Sequence, residues 1–147
     1  MKLIKYFAYG HNTNLTELQQ RVPDAMLLGA AVLHNWRFDL ERLGNIVPQQ
    51  GSTVHGVLWN IPRDQLDQLD WDEAYGRHYG HRMVTVQFRK QPVAALTYVM
   101  LPGYRDPEPP SRQYIEWIAD GYRDNRIPLA QLITALENRL QDFAHHK

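Results

Sequence analysis

The stretch GVLWNIPRDQLDQLDWDEAYG, residues 56–76, changes its hydrophobic rhythm twice. Gly56 and Leu58, in line with Val54, alternate with Val57 and Trp59, a two-residue period that predicts a strand. Beyond it, Leu66 and Leu69 stand three apart and Pro62 suits a first helical position, so a short helix is expected there. That helix runs out into a crowd of acids, Asp67, Asp70, Asp72 and Glu73, beside Trp71 and Tyr75. Extended segments follow at 81–88 (HRMVTVQF) and 93–100 (VAALTYVM), and the RKQP between them reads as a hairpin turn.

Outward from this centre, residues 2–9 read as a strand bounded by Gly10, and residues 15–22 as a short helix stopped before Pro23. The apolar region 26–40 is interrupted by Gly29 and Asn35 and predicts two extended pieces. Residues 41–52 carry Gly44, Asn45, Pro48 and Gly51 and read as loop. RDPEPPS, residues 105–111, is a rigid loop, and Ser111 is placed to cap a helix that begins at Arg112. The clearest helices are 111–125 and 128–144. In the second, Leu129, Leu132, Ile133, Leu136, Leu140 and Phe143 follow helical spacing, with Leu136, Leu140 and Phe143 expected as a core stripe. Helices interleave with hairpin-like strands without a regular βαβ period. The expected class is therefore α+β with a mostly antiparallel sheet, in one domain spanning 1–147.

Composition narrows the function. Lys plus Arg and Asp plus Glu number 16 each, which argues against nucleic acid, whose partners usually carry a basic excess. There is no cysteine, so no disulfide framework, thiol nucleophile or thiolate zinc site. No apolar run approaches the ~20 residues of a membrane helix, and no signal peptide is visible. The expectation is a soluble cytoplasmic protein with no membrane partner. His78 and His81 lie three apart in a loop leading to a strand, without a helical Glu, and no metal or cofactor is expected. The acids fit no calcium-loop spacing.

Two stretches carry chemistry. In YFAYGHNTN, residues 6–14, a strand meets one glycine and then short polar residues before a helix. Gly10 would let a ligand approach the backbone, and Asn12, Thr13 or Asn14 would cap the helix. The helix start and its open N–H groups suit a carboxylate or a developing oxyanion. A strand-to-helix turn needs a glycine and a cap in any case, so both readings stand. In the acid cluster, burial against Trp71 and Tyr75 and like charge would raise a carboxyl pKa and make a general base near neutral pH. A solvated acidic face accounts for the same residues.

YFAYGHNTNL, GVLWNIPRDQLDQLDWDEAYG and PPSRQYIEWIADGYRDNRIPL follow one another in that order. The chain thereby resembles the gamma-glutamylcyclotransferase family of small AIG2-like proteins, over most of its length. The resemblance implies a small, barrel-like sheet flanked by helices. It implies release of 5-oxoproline from a gamma-glutamyl amino acid or amine, with that small molecule as partner and a homodimer left open. The family's Y-G-S-N loop falls on Tyr9, Gly10, His11 and Asn12, with Thr13 and Asn14 behind it. Its catalytic carboxylate, which follows L-D and two further residues, falls on Glu73, and its pocket tyrosines on Tyr79 and Tyr114. Two positions depart: the loop serine is His11, a residue able to titrate near neutral pH, and the glycine after the catalytic Glu is Ala74. A non-catalytic binding module with the same anion loop is the other class of function.

Overall fold

The computed structural model describes residues 2–72, 76–104 and 106–145. Five strands, β1 Leu3–Ala8, β2 Met26–Leu40, β3 Gly44–Pro62, β4 Tyr79–Phe88 and β5 Gln91–Met100, close into a barrel in the order β1-β3-β2-β4-β5. Every pairing is antiparallel except the seam, where β1 meets β5 in parallel at Tyr6 and Leu96. Helices α1 Leu15–Arg21, α2 Leu66–Asp72, α3 Arg112–Asp124 and α4 Leu129–His145 flank it, and short 3-10 turns cover His11–Thr13 and Arg63–Gln65. The expected α+β class and barrel-like sheet are therefore present.

The long β2–β3 hairpin corrects the reading of 26–52. Residues 26–40 are one strand, and Gly44–Pro62 is a second, running through the segment expected as loop. The residues that looked like breaks are absorbed as irregularities. The register shifts beside Gly29 and Asn35, which take φ of 140° and 68°. Bulges of this kind bend a strand without ending it. Across the ladder, Gly51 donates its N–H to Asn35 Oδ1 at 3.1 Å. Pro48 pairs with Trp36 on this arm, and a ladder that bends at bulges tolerates it.

Three smaller corrections follow. Pro62 ends β3 with an extended ψ of 132°, and the 3-10 turn starts one residue later. The β4–β5 turn is only Arg89 and Lys90, both at positive φ, the left-handed pair that matches the twist of a two-residue hairpin; Gln91 and Pro92 already belong to β5. On α4, Leu132 and Ala135 are buried, while Ile133 and Leu140 are exposed. Leu140 is thus no core residue, and the side chain of Phe143 lies outside the described residues.

The core is continuous through the barrel and under the helices. Phe7, Leu18, Ile46, Leu58, Trp59, Ile61, Leu69, Ile118 and Tyr122 are completely enclosed. Leu58 and Trp59 are neighbours on opposite faces of β3 and both are buried, because the barrel fills one face and helices cover the other. Two glycines set the closest approaches. A Cβ on Gly56 would lie 2.2 Å from the Ala8 carbonyl oxygen, and one on Gly121 would lie 2.2 Å from Thr13 Oγ1 and 2.8 Å from the Asn14 nitrogen. Gly121 is what lets α3 lie against the 9–14 loop. Gln131 docks α4 by imitating a strand neighbour: its side-chain amide accepts from the His55 N–H at 2.7 Å and donates to the His55 carbonyl at 2.8 Å. Among the described residues no helix is long and apolar enough to cross a membrane.

Candidate active site

β1 delivers the chain to Gly10 at the rim of the barrel. Asn14 ends the 3-10 turn and caps α1, its Oδ1 accepting from the Glu17 N–H at 3.2 Å. The loop between is held from every side. Trp59, buried in β3, donates its indole N–H to the Asn12 carbonyl at 3.0 Å. The Asn12 side chain donates to Tyr6 Oη at 3.0 Å and accepts from Arg21. Thr13 donates its hydroxyl to the Gly10 carbonyl at 2.7 Å, and Asn125 donates to the Thr13 carbonyl at 3.0 Å. Asn14 also donates to the Trp117 carbonyl at 3.1 Å. Tyr122 donates to the Tyr9 carbonyl at 2.6 Å, and burial pushes the phenol pKa of Tyr122 up. Among the described residues, none accepts the N–H of Gly10 or of His11.

These two residues line a narrow cavity with Tyr6, Tyr9, Asn12, Gly44, Tyr79, Tyr98 and Tyr114. It encloses about 280 Å³ of open space, solvent at its mouth included, of which only about 20 Å³ would hold the centre of a water molecule. Two tyrosines fix its floor through one residue: Tyr114 Oη accepts from the Gly44 N–H at 2.8 Å, and Tyr79 donates to the Gly44 carbonyl at 2.5 Å. Tyr114 is placed by the first turn of α3, where Ser111 caps as expected, accepting from the Tyr114 N–H at 3.1 Å.

His11 is a correction. Its ring tilts against Tyr114 and Trp117, with centroids 5.3 and 6.5 Å away. The residue is half-buried. Burial, helped by the positive charge of Arg21, pushes its pKa down to about 3. His11 is a neutral aromatic wall at physiological pH, not a group that titrates near neutrality.

Among the described side chains of the acid cluster, Asp70 is held in place by polar contacts. Asp70 accepts from Tyr98 Oη and lies 2.7 Å from His81 Nε2, while the His81 and Tyr98 rings meet edge to face at 5.3 Å. Since Tyr98 lines the cavity, this contact fastens α2 to the cavity wall. Trp71, next to it, is 81% exposed. Glu73 and Ala74 lie outside the described residues, immediately beyond α2. His78 and His81 part company: His78 stacks on Tyr104 at 4.5 Å while His81 faces Asp70.

Of the expected binding residues, Tyr9, Gly10, His11, Asn12, Tyr79 and Tyr114 are brought to one cavity. Thr13 and Asn14 are not in its described lining; they are buried and engaged in holding the loop and capping α1. Sequence reasoning missed Tyr6, Tyr98 and Gly44. Tyr6 and Tyr98 read as ordinary aromatic strand residues, and only barrel closure, which sets Tyr6 opposite Leu96 on β5, faces them together.

This architecture, an antiparallel barrel with a helix-capped loop at its rim, has clear relatives. The family model for gamma-glutamyl cyclotransferase, AIG2-like, matches residues 6–119, and the chain belongs to that family. A gamma-glutamylcyclotransferase of Bos taurus is 27% identical over 137 residues, covering 84% of this chain and 72% of the relative. The Homo sapiens protein of the same name is 26% identical over 138 residues, with the same coverages. A crystal structure of an uncharacterized Homo sapiens protein matches at TM-score 0.81 and 25% identity, over 92% of this chain and 87% of the other. A solved gamma-glutamyl cyclotransferase matches at TM-score 0.80 and 24% identity, over 91% and 86%.

Proposed function

We propose that the protein releases 5-oxoproline from a gamma-glutamyl amino acid or amine by internal acyl transfer. The substrate's α-amino nitrogen attacks its own γ-carbonyl carbon. A tetrahedral oxyanion forms, the C–N bond to the leaving amine breaks, and a five-membered lactam closes. The α-ammonium, with a reference pKa of roughly 7.7–8.0, must first lose a proton. Glu73 takes that proton and, after attack, the second one that the ring nitrogen sheds, and passes each to the leaving nitrogen, which departs as an ammonium. Nucleophile and electrophile share one molecule, so the protein's task is to fold it, and effective molarities for such closures reach ~10⁵–10⁸ M.

The observation that carries this reading is that Gly10 and His11 line the tyrosine cavity and that, among the described residues, none accepts their N–H groups. Backbone donors fixed in advance stabilise a developing oxyanion, commonly by ~3–4 kcal/mol per donor. His11 in place of serine is compatible with this role, because the donor is backbone and the ring is neutral. Support for Glu73 comes from the chain: it lies three residues past Asp70, which is tied to the cavity wall.

Incubation of the purified protein with a panel of gamma-glutamyl amino acids and amines, beside Glu73→Gln, tests the reading by 5-oxoproline release. Release by the wild type and its loss in the variant are expected. Binding without release from any member would overturn it in favour of a non-catalytic binding module.

A further inference from the structure

A second groove adjoins the tyrosine cavity and shares a wall with it. Tyr114 lines both, and Leu43 in the groove directly precedes Gly44 in the cavity. The groove has a volume of about 380 Å³, within the ~300–1,000 Å³ of small-molecule sites. Leu43, Pro109, Tyr114 and Trp117 form its apolar faces, with Arg42 and Glu108 also in its lining. The charge of Arg42 is already spoken for: its Nε lies 2.6 Å from Asp106 Oδ2. Trp117 stands one turn beyond Tyr114 on α3, and His11 packs against both. Three rings thus mark the junction between a tight, tyrosine-lined cavity and a wide, apolar groove.

Resting on the cyclotransferase reading, we propose that this groove receives the leaving group, and that it selects a leaving amino acid with a large apolar or aromatic side chain. On that reading the narrow tyrosine cavity takes the gamma-glutamyl end, which must fold there for its α-amino group to reach the γ-carbonyl. The scissile bond then lies at the Tyr114 junction, and whatever the γ-carbonyl carries must extend past it toward Leu43 and Trp117. A leucine or phenylalanine side chain would be removed from water against these faces, whereas glycine would leave the groove unfilled. Glu108 in the lining opposes an acidic side chain. Trp117 and Leu43 act here as specificity residues, outside the bond-making steps.

The test is kcat/KM for a matched series: gamma-glutamyl-glycine, -alanine, -leucine, -phenylalanine, -glutamate and -lysine. Leucine and phenylalanine should exceed glycine by about 10-fold or more, the size expected for burying one such side chain. In Trp117→Ala the phenylalanine-to-glycine ratio should fall toward one, and in Leu43→Ala it should fall by less. A loss of fold or loop geometry would depress both substrates together and leave the ratio intact. Equal kcat/KM across the series, a preference for the charged members, or a ratio unmoved in both variants would overturn the proposal. Calorimetry with the Glu73→Gln protein separates it from the cyclotransferase reading. If nothing turns over, that reading fails. About tenfold tighter binding of gamma-glutamyl-phenylalanine than of gamma-glutamyl-glycine would still assign the groove, and equal or absent binding would reject it.

Discussion

The 9–14 loop and α2 approach the same cavity in opposite styles. The loop is polar in composition yet among the most enclosed parts of the molecule: Asn12, Thr13 and Asn14 are buried, and Trp59, Tyr6, Arg21, Asn125 and Trp117 all hydrogen-bond it. The seven-residue α2 packs on the core through the buried Leu69 and the partly buried Leu66, meets Tyr98 and His81 through Asp70, and exposes Trp71 to solvent. The contrast has a chemical meaning. Backbone donors stabilise an oxyanion only if they need not reorganise as charge develops.

The severest way to break the rigid side is to separate α3 from the loop. Gly121→Ala puts a methyl 2.2 Å from Thr13 Oγ1 and 2.9 Å from the Thr13 carbonyl carbon, so the backbone must move. Overpacking of this kind costs typically 1–3 kcal/mol and occasionally more. Backbone on one side places this case at about 3 kcal/mol, beyond the ~1 kcal/mol that alanine returns in a helix. The urea midpoint should drop accordingly, and ligand binding should weaken with it. An unchanged midpoint would show that α3 does not hold the loop.

Acid should loosen the same side next. The folded-state pKa of His11 lies near 3, below its reference value of 6.5, so the unfolded chain binds more protons between those limits. The stability contributed is fully present above pH 6.5 and is lost as pH falls toward 3. About 2 kcal/mol should disappear between pH 6.5 and 4.5. His55, lowered mainly by burial and secondarily by His34, adds in the same direction. Chemical denaturation at a series of pH values checks this, and His11→Gln should flatten the slope. A slope identical in that variant would mean that other groups carry it.

How far the sequence reaches follows from these same residues. The strand–Gly10–cap layout, the Ser111 cap and the β4–β5 hairpin were legible because local rules of capping and alternation decide them. The long β2–β3 arm was not, since Gly44, Pro48 and Gly51 signal a loop locally and only a paired strand with bulges overrides them. Asn14 was legible as a cap of α1, whereas the resemblance alone set Thr13 and Asn14 with the binding loop, and nothing local showed how they are held against α3. Their local partners are Gly10 and Glu17, but the contacts that pin them to α3, through Asn125, Gly121 and Trp117, come from more than 100 positions away. Asp70 could not be told from its acidic neighbours until the barrel placed Tyr98 and His81 against it.

Removing one hydrogen bond from the rigid side is a milder probe. Trp59→Phe retains a buried ring and deletes the indole donor to the Asn12 carbonyl, at a cost of about 1 kcal/mol for the lost buried hydrogen bond. The loop should bind substrate less well, with KM rising more than kcat falls. A variant that binds normally would show that Asn12 is secured without Trp59.

Asp70→Asn should have the smallest effect on stability, under about 1 kcal/mol, since the contact with His81 is partly exposed and the new side chain is the same size. Its signature should be kinetic. The charge that faces both Tyr98 and His81 is gone, so the end of α2 is less well placed while the 9–14 loop is untouched. With Glu73 as the base, kcat should fall by about tenfold and KM should stay nearly constant, the reverse of Trp59→Phe. The opposite splits of two variants on one cavity would separate a donor side from a base side. A rise in KM equal to that of the loop variant would join them, making Asp70 one more support of the substrate wall through Tyr98.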